Sequence, residues 1–507
     1  MSLTHVDVRR GAYHDSVTLL QVSRTVAQVE GVEAAQVAMA TELNVEVLTG
    51  MGFDIPDGAG PNDLVLAVRG ADDAGVAAGL AAAEGALAAR STPSSGGFGD
   101  APSPRTVGGA LRAGAADLAL ISVPGRFATA EALDAIAAGA SVMLFSDNVP
   151  VEDEILLKDA AADADVLVMG PDCGTAVIGG VALGFANVVE AGPIGMVAAS
   201  GTGAQQLMCL LDAAGVGISH CLGVGGRDLT SAVGGRSTRQ ALAALAADPA
   251  TTSVVVVSKP PDEEVLAELE TYAAGLGLPV RWATLGAGRP DLTSALEAVL
   301  EAEGRDVPVW PSWVASDDPE PASVSGSLRG LFCGGTLADD AMLLAAESLG
   351  DIRSNIPLRD DLALGSDLRD DGHLVIDFGD DGLTQGRAHP MIDPSLRMER
   401  IAAEAADPTC GVLLLDLVLG HGAHADPAGE LSDAIRAAKA VAGSEQQSTN
   451  GSGTARKLPV VVSVTGTEGD PQGFTATCET LAAAGASVFL SNRDATRHAL
   501  SFLGSTR

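Results

Sequence analysis

The sequence predicts an α/β protein in which a Rossmann-like domain and two further α/β units follow a small α+β domain. Short valine-rich runs alternate with alanine- and leucine-rich stretches of helical length along most of the 507 residues. This alternation is typical of strands that are buried on both faces between helices. Hydrophobic residues make up 47% of the chain but aromatic residues only 3%, so Ala, Val, Leu and Gly must build most of the cores.

Residues 1–90 predict the small α+β domain. The runs VDVRR, EAAQVAMA and DLVLAVRG are predicted strands, and HDSVTLLQVSRTVAQVE between the first two is a predicted helix. This order is that of a small split-βαβ sandwich. Residues 91–104, STPSSGGFGDAPSP, have the composition of a flexible linker.

Residues 105–190 predict the Rossmann-like domain, because ADLALISVP, SVMLFSD and DVLVMG alternate regularly with helical stretches. Ligands of such sheets bind at the carboxyl ends of the strands. Asn148 follows the second strand, and Asp172, Cys173 and Gly174 follow the third, so these residues are candidates for one substrate crevice. Cys173 could act as a nucleophile, but a buried structural thiol is the preferred interpretation, since no His or Asp partner is visible.

Two more α/β units are predicted, over residues 191–305 and 327–507. Residues 306–326 are rich in Pro and Ser and predict a linker between them. Residues 443–457 predict a low-complexity insertion in the second unit.

An internal repeat relates these two units. GMVAASGTGAQQLMCLLDAAG at 195–215 and GLFCGGTLADDAMLLAAESLG at 330–350 each combine a strand, a turn of small residues and a helix that ends in Gly. Two related units predict a pseudo-two-fold arrangement, with a site where the two helix starts converge.

Charge and cysteine content narrow the class of protein. The chain has 66 acidic and 30 basic residues, a net charge of -36, and only four lysines. Such a surface repels nucleic acid and anionic lipid, so neither is an expected partner; adaptation to high salt is the preferred explanation of the charge. Six scattered cysteines without CxxC pairs fit a reducing compartment, and no metal site is predicted. With no long apolar run, we expect a soluble, cytoplasmic protein.

The first candidate site is a phosphate-binding turn formed by Ser200, Gly201, Thr202 and Gly203. The turn follows a buried strand and opens a helix, where backbone N–H groups, the helix dipole and two hydroxyl groups favour an anion. An ordinary helix cap is the alternative, because Ser and Thr are preferred capping residues. The strand-turn-helix context favours the phosphate site.

A second helix-start loop contains Thr465, Gly466 and Thr467 after the strand PVVVSV. Its neighbours Glu468 and Asp470 are acidic and oppose anion binding. A plain loop is therefore the preferred interpretation.

Candidate substrate and catalytic residues lie in two further loops. Arg387, His389 and Arg397 crowd into a Pro-broken segment and could bind a small carboxylate, because arginine forks suit carboxylates. His421 and His424 have a spacing that suits a metal only if a carboxylate joins them, and two incidental histidines are the preferred interpretation. The catalytic residue stays unassigned among His389, His421 and His424.

These motifs, in this order, resemble the FdrA family, whose members are relatives of the succinyl-CoA synthetase alpha subunit. ISVPGRFATAEALDAIAAG followed by SVMLFSDNVP resembles the CoA-binding half, and VLVMGPDCGTAVI resembles its Gly-Pro-Asn-Cys-Pro-Gly turn. GMVAASGTGAQQLMCLLDAAGVGISHCLGVGGRDL resembles the phosphate-site strand and helix start. The resemblance implies a CoA-binding-type Rossmann domain and two flavodoxin-like units of the succinyl-CoA-synthetase ligase type. The N-terminal domain and the segment GRAHPMIDP resemble FdrA proteins specifically.

The resemblance implies an FdrA-type subunit of a carbamoyltransferase complex in purine (allantoin) breakdown. Such a complex interconverts oxalurate and phosphate with oxamate and carbamoyl phosphate. The implied partners are phosphate or an acyl phosphate, a small carboxylate substrate and further protein subunits. An acyl-CoA ligase subunit that works with a separate nucleotide-binding chain is the alternative, and a non-catalytic scaffold subunit is the third interpretation.

Two departures from the synthetase pattern bear on the cofactor. No glycine-rich loop for the CoA phosphates precedes ALISVP, where RTVGGALRAGAAD stands instead. WATLGAGRPDL contains no counterpart of the phosphorylated histidine. The sequence therefore predicts no definite cofactor. CoA binding stays an open alternative, and both departures argue against it.

Overall fold

A computed structural model describes residues 3–12, 14, 16–56, 58–90, 104–114, 116–384, 388–444 and 456–504. The chain divides into two compact units, Met1–Ser103 with Gln385–Ala388, and Pro104–Thr384 with His389–Arg507. Most of the predicted linker 91–104 and of the predicted insertion 443–457 lies outside the described residues. Among the helices that are described, none is long and apolar enough to cross a membrane.

The N-terminal unit is the predicted small α+β domain. Its elements are β1 (Leu3–Arg9), α1 (Ser16–Ala27), β2 (Val32–Met39), α2 (Glu42–Gly50), β3 (Leu64–Gly70) and α3 (Asp73–Arg90). The sheet is antiparallel with the order β1-β3-β2. Side chains of β3 alternate between two apolar clusters, Leu66 and Val68 on one face and Val65 and Ala67 on the other, because successive residues of a strand point to opposite faces.

The Rossmann-like domain follows as predicted, with a parallel sheet in the order β4-β5-β6. Apolar residues of both helices and strands, such as Ala132, Val142 and Leu157, form its core. The elements are α4 (Val107–Ala113), β4 (Leu118–Ile121), α5 (Gly125–Ala137), β5 (Ser141–Leu144), α6 (Val151–Asp163) and β6 (Val168–Met169).

The first ligase-like unit is a six-stranded sheet in the order β12-β11-β9-β10-β7-β8. Its elements are β7 (Thr175–Ile178), β8 (Val181–Gly184), β9 (Ala191–Ala199), α7 (Gly201–Ala213), β10 (Ile218–Gly223), α8 (Arg236–Ala247), β11 (Ser253–Ser258), α9 (Glu263–Ala274), β12 (Val280–Thr284) and α10 (Leu292–Ala302). The β7–β8 hairpin lies within 105–190, which the sequence assigns to the Rossmann-like domain, but it pairs with β10. This sheet therefore begins upstream of residue 191.

The second ligase-like unit is a seven-stranded sheet in the order β13-β19-β18-β17-β14-β16-β15. Its elements are β13 (Ser312–Trp313), β14 (Ser327–Phe332), α11 (Gly335–Leu349), β15 (Arg353–Ser354), β16 (Leu374–Asp377), α12 (Asp381–Thr384), α13 (Ser395–Ala406), β17 (Cys410–Val418), α14 (Pro427–Ser444), β18 (Val460–Thr465), α15 (Phe474–Ala483), β19 (Ser487–Phe489) and α16 (Asn492–Phe502).

The segment 306–326, predicted as a linker, is packed onto this second sheet. β13 pairs with β19 in the antiparallel direction. Trp310 is buried, and its indole N–H donates to Glu297 at 2.9 Å. The Pro and Ser content that suggests a linker therefore belongs to an edge strand, a position where Pro is tolerated.

The two ligase-like units share one apolar core that includes residues of both central helices, such as Leu207 of α7 and Leu337 of α11. Polar contacts cross the same boundary: the Gln206 side chain donates to the Leu490 carbonyl at 3.0 Å, and the Leu292 N–H donates to the Asp340 side chain at 3.1 Å. The shared core holds α7 and α11 side by side.

A buried ion cluster joins α6 of the Rossmann-like domain to the first ligase-like unit. Lys158 is fully buried, and its Nζ donates to Glu154 at 2.7 Å, to Asp228 at 2.8 Å and to the Val224 carbonyl at 2.9 Å. Asp228 also accepts from the first backbone N–H groups of α8. Lys158 thus links α6 of the Rossmann-like domain, through Asp228, to the start of α8 in the first ligase-like unit.

Candidate functional site

The starts of α7 and α11 meet, as the internal repeat predicts. Ser200 caps α7: its Oγ accepts from the Gly203 N–H at 3.0 Å and donates to Oγ1 of Thr336 in α11 at 2.7 Å. A Cβ on Gly203 would lie 3.0 Å from Cγ2 of Thr336, and a Cβ on Gly334 would lie 3.0 Å from the Thr202 side chain. Glycine is required at both positions because the two helix starts touch.

Backbone N–H groups of both helix starts have no acceptor in the part of the chain that the structure describes. They include those of Gly201 and Thr202 in α7 and of Gly335 and Thr336 in α11. Each helix start also carries about half a positive charge from the helix dipole. Two such starts side by side form a place that favours an anion.

Lys259 adds a full positive charge to the junction. It follows β11 directly, and a Cβ on Gly335 would lie 3.0 Å from its Nζ. The side chain is 42% exposed and lies 3.9 Å from the Asp339 carboxylate, so its ammonium group can reach a ligand at the start of α11. Burial raises the pKa of Asp339 to about 6, and Lys259 counteracts that rise.

Asp416 occupies the other N–H groups at the start of α11. Its two oxygens accept from the Cys333 and Gly334 N–H groups, each at 2.8 Å. Nη1 of Arg397 donates to the Asp416 carboxylate at 2.7 Å and to its carbonyl at 2.9 Å, and both side chains are buried. Arg397, predicted to bind a substrate carboxylate, is thus engaged with an internal carboxylate, because the fold places β17 beside α13.

Arg387, the other predicted arginine, lies outside the described residues. His389, from the same loop, lies beside the start of α11: a Cβ on Gly379 would lie 2.7 Å from its Nε2 and 2.8 Å from the carbonyl oxygen of Cys333. Burial lowers the pKa of His389 to about 4, so the imidazole is neutral near pH 7.

The predicted crevice residues lie at the ends of β5 and β6, which are neighbours. Asn148 and Asp172 are exposed and have φ of 53° and 56°, a left-handed conformation that is uncommon for residues other than glycine and concentrates at functional sites. Gly174 is partly buried. Cys173 is buried, which raises the pKa of its thiol to about 12 and favours the structural interpretation.

The loop of Thr465, Gly466 and Thr467 is not a helix start, which corrects the prediction. α15 begins only at Phe474, with Gly473 as its cap residue. The carboxylate of Asp470 instead accepts from the N–H of Thr467 at 2.8 Å and from the Asn187 side chain at 2.7 Å. This carboxylate fills the position that an anion would take, which favours the plain-loop interpretation.

His421 and His424 lie in the loop after β17. His421 is exposed, and its N–H donates to the Ala186 carbonyl at 2.8 Å. Nδ1 of His424 accepts from the Asp426 N–H at 3.0 Å, and its Nε2 lies 3.8 Å from Glu430. The described residues contain no group of three or more His, Cys, Asp or Glu side chains placed to hold a metal ion.

Three residues of the junction were not predicted: Lys259, Thr336 and Asp377, whose Oδ2 would lie 2.5 Å from a Cβ on Gly335. Lys259 stands directly after the predicted strand TSVVVVS and is one of only four lysines, so its position was a usable signal. Thr336 lies in the helix start that the repeat aligns with Ser200–Gly203. Asp377 ends β16, a strand of four residues that periodicity alone does not identify.

Comparisons with known proteins show which families this architecture resembles. Residues 1–104 match the family model of the AllF heavy metal-associated domain, and residues 331–502 match that of CoA-ligase. The uncharacterized protein YahF of Escherichia coli (strain K12) is 38% identical over 487 residues, 91% of each chain. The chain belongs to the YahF family.

This family is succinyl-CoA ligase alpha-like in its ligase region. The alpha 2 subunit of the ADP-forming succinate–CoA ligase of Archaeoglobus fulgidus is 31% identical over 184 residues, 34% of this chain and 63% of that subunit. Subunit SauD of the ADP-forming sulfoacetate-CoA ligase of Bilophila wadsworthia is 26% identical over 168 residues, 31% of this chain and 56% of SauD. The chain therefore combines a ligase-like core with an additional N-terminal domain.

The N-terminal domain does not fit a thiolate-bound heavy metal, and the start of α5 does not fit the pyrophosphate of CoA. A heavy metal prefers thiolate ligands, and residues 1–104 contain no cysteine. The pyrophosphate of CoA needs backbone donors, but the start of α5 is covered by the carbonyl groups of Asp147 and Asn148, which a Cβ on Gly125 would touch. Carbonyl oxygens at a helix start repel an anion.

Proposed function

We propose that this YahF-family protein binds an acyl phosphate between the starts of α7 and α11 and transfers its acyl group as one subunit of a transferase complex. The observation that carries the proposal is the contact between the two helix starts, marked by the 2.7 Å hydrogen bond from Ser200 to Thr336. Oxyanions bind where several fixed donors converge.

The charge of the junction supports this choice of ligand. The chain as a whole carries a net charge of -36, which disfavours anions at most of the surface. At the junction, two helix dipoles, backbone N–H groups and the Lys259 ammonium group offset that field locally. A dianionic phosphoryl group is the ligand that uses all of these donors.

Direct transfer suits the surrounding residues better than a phosphohistidine. The turn after β12, where the resemblance places the phosphorylated histidine, has none. His389 is neutral, and its Nδ1 accepts from the Met391 N–H at 3.3 Å, so its free nitrogen, Nε2, carries a proton and is no nucleophile. The acyl group therefore passes from phosphate to its acceptor in one step.

Within this class we propose the FdrA-type reaction, between carbamoyl phosphate and oxamate, with further protein subunits as partners. The second candidate is an acyl-CoA ligase subunit, which the names of the ligase relatives favour. The complete complex decides between them: carbamoyl phosphate formed from oxalurate and phosphate supports the first. Acid-labile histidine phosphate, or a CoA thioester formed in the presence of ATP, supports the second.

Lys259→Met is expected to weaken phosphate binding by about 10- to 100-fold, because a hydrogen bond to a charged group contributes about 1.5–3 kcal/mol. Calorimetric titration of the purified chain with inorganic phosphate measures the change. Lys457→Met is the matched control, since it removes the same charge from an exposed lysine elsewhere. Equal affinity of the two variants would place the phosphate away from Lys259.

A further inference from the structure

Asp377 is held rigidly at the end of β16. Its N–H donates to the Asn355 side chain at 3.0 Å, and its carbonyl accepts from the same side chain at 2.8 Å. The side-chain Oδ1 accepts from the Gly379 N–H at 2.8 Å. Because three hydrogen bonds fix the residue, its other oxygen, Oδ2, has a defined direction.

Oδ2 of Asp377 aims at the start of α11. A Cβ on Gly335 would lie 2.5 Å from this oxygen and 3.0 Å from Nζ of Lys259. The residue is only 4% exposed, and Oδ2, to which no described residue donates a hydrogen bond, keeps some contact with solvent. A carboxylate oxygen that is fixed in direction and open to solvent can pair with a ligand without displacing a protein donor. Oδ2 therefore points to a ligand at the start of α11.

His389 lies on the other side of the same carboxyl group. A Cβ on Gly379 would lie 2.7 Å from Nε2 of His389 and 3.1 Å from Oδ1 of Asp377. Since Nδ1 of His389 accepts a hydrogen bond from Met391, the neutral ring carries its proton on Nε2. The carboxyl group thus lies between an N–H donor and an ammonium group.

We propose that Asp377 is the proton-transfer residue of this phosphate site, an inference that rests on the proposed function. In the transfer step the acceptor X–H attacks the acyl carbon, the C–X bond forms and the C–O bond to phosphate breaks. The proton leaves X for Oδ2 of Asp377 and passes to the departing phosphate oxygen, so that acyl phosphate and X–H give acyl–X and hydrogen phosphate. Asp377 ends the cycle in its initial state.

The charged groups around Asp377 suit this role. Burial raises its pKa to about 7; Lys259 at the end of β11 lowers it, and Asp339 of α11 and Asp416 of β17 raise it. Asp416 itself is paired with Arg397 of α13, and His389 is neutral. A carboxyl group with a pKa near the working pH both accepts and gives a proton readily.

Sulfate is the probe that tests the assignment, because it is a dianion that does not titrate near neutral pH. Calorimetric titration at pH 7.5, in buffers of different ionisation enthalpy, measures the protons taken up per sulfate bound. We expect the wild-type protein to take up a substantial fraction of a proton, because a nearby dianion favours protonated Asp377. Asp377→Asn should bind sulfate without this uptake, and Asp433→Asn, an exposed control, should behave like the wild type.

The outcomes separate the two proposals. Sulfate binding without proton uptake by the wild type, or uptake that persists in Asp377→Asn, overturns the role of Asp377 and leaves the phosphate site standing. Failure of both phosphate and sulfate to bind the wild type overturns the proposed function and this inference with it. Asp377→Asn should fold, with a urea midpoint at pH 8 at or above that of the wild type, because it removes a buried charge.

Discussion

Lys158→Met is expected to lower the free energy of unfolding by about 3–5 kcal/mol, because it leaves buried carboxylates without their cation. Lys158 is fully buried between Glu154 and Asp228. Glu154 keeps Arg227 as a partner at 2.9 Å, but Asp228 loses its only ion pair within the described residues. Urea unfolding followed by tryptophan fluorescence measures the change, since all three tryptophans lie in the ligase-like region.

Lys439→Met is the matched control for that variant. Lys439 is 24% exposed, and its partner Asp317 is 60% exposed, at 3.2 Å. Water screens such a pair, so its loss should cost at most about 1 kcal/mol. If Lys158→Met cost no more than this control, the buried cluster would not join the Rossmann-like domain to the ligase-like unit energetically.

The fold class was predictable because the central strands and the helices between them have clear local hydrophobic patterns. Runs such as TSVVVVS and GVLLLDLV identify the central strands, and the helices between them have clear apolar faces. Several strands that the prediction did not name, such as β8, β13 and β15, are short and lie at sheet edges, where pairing depends on residues far away in the sequence. The β7–β8 hairpin did carry a local signal, the Gly179-Gly180 turn, in which both residues have positive φ.

The candidate site was predictable only in part, for a physical reason. The turn at Ser200–Gly203 is recognisable in the sequence as a helix start after a strand. The internal repeat locates the corresponding helix start of α11. No comparable local pattern shows what an arginine or histidine side chain contacts. Tertiary packing decides whether the side chain faces a ligand or an internal carboxylate. Arg397 shows this, because β17 places Asp416 within reach of it.

Lys158 and Lys259 differ in their surroundings, and the difference has consequences for an anion site. Lys158 is surrounded by carboxylates and a carbonyl group and is fully buried, so it has no capacity for a ligand. Lys259 is partly exposed and has a single carboxylate within 4 Å in the described region, at 3.9 Å. Exposure and incomplete pairing therefore distinguish Lys259 from Lys158 as the lysine that can bind phosphate.

Arg397→Met is expected to lower the free energy of unfolding by about 3–5 kcal/mol at pH 8, since it leaves Asp416 charged and buried. Burial already raises the pKa of Asp416, and Arg397 lowers it, so removing Arg397 raises it further. A folded-state pKa above the unfolded value means that the folded state binds more protons, and stability falls as pH rises between the two values. The deficit of the variant should therefore shrink at pH 5, which urea unfolding at both pH values measures.

The double variant Arg397→Met, Asp416→Asn decides between the structural role and the substrate-binding role that the sequence predicts for Arg397. If the arginine neutralises Asp416, the second substitution removes the uncompensated charge and restores part of the stability at pH 8. Arg436→Met, at an exposed pair with Asp433, should change stability by less than about 1 kcal/mol. A single variant Arg397→Met of wild-type stability that binds oxamate more weakly would instead support the substrate-binding role. The start of α11 would then be held by Asp416 alone, through its hydrogen bonds to the Cys333 and Gly334 N–H groups.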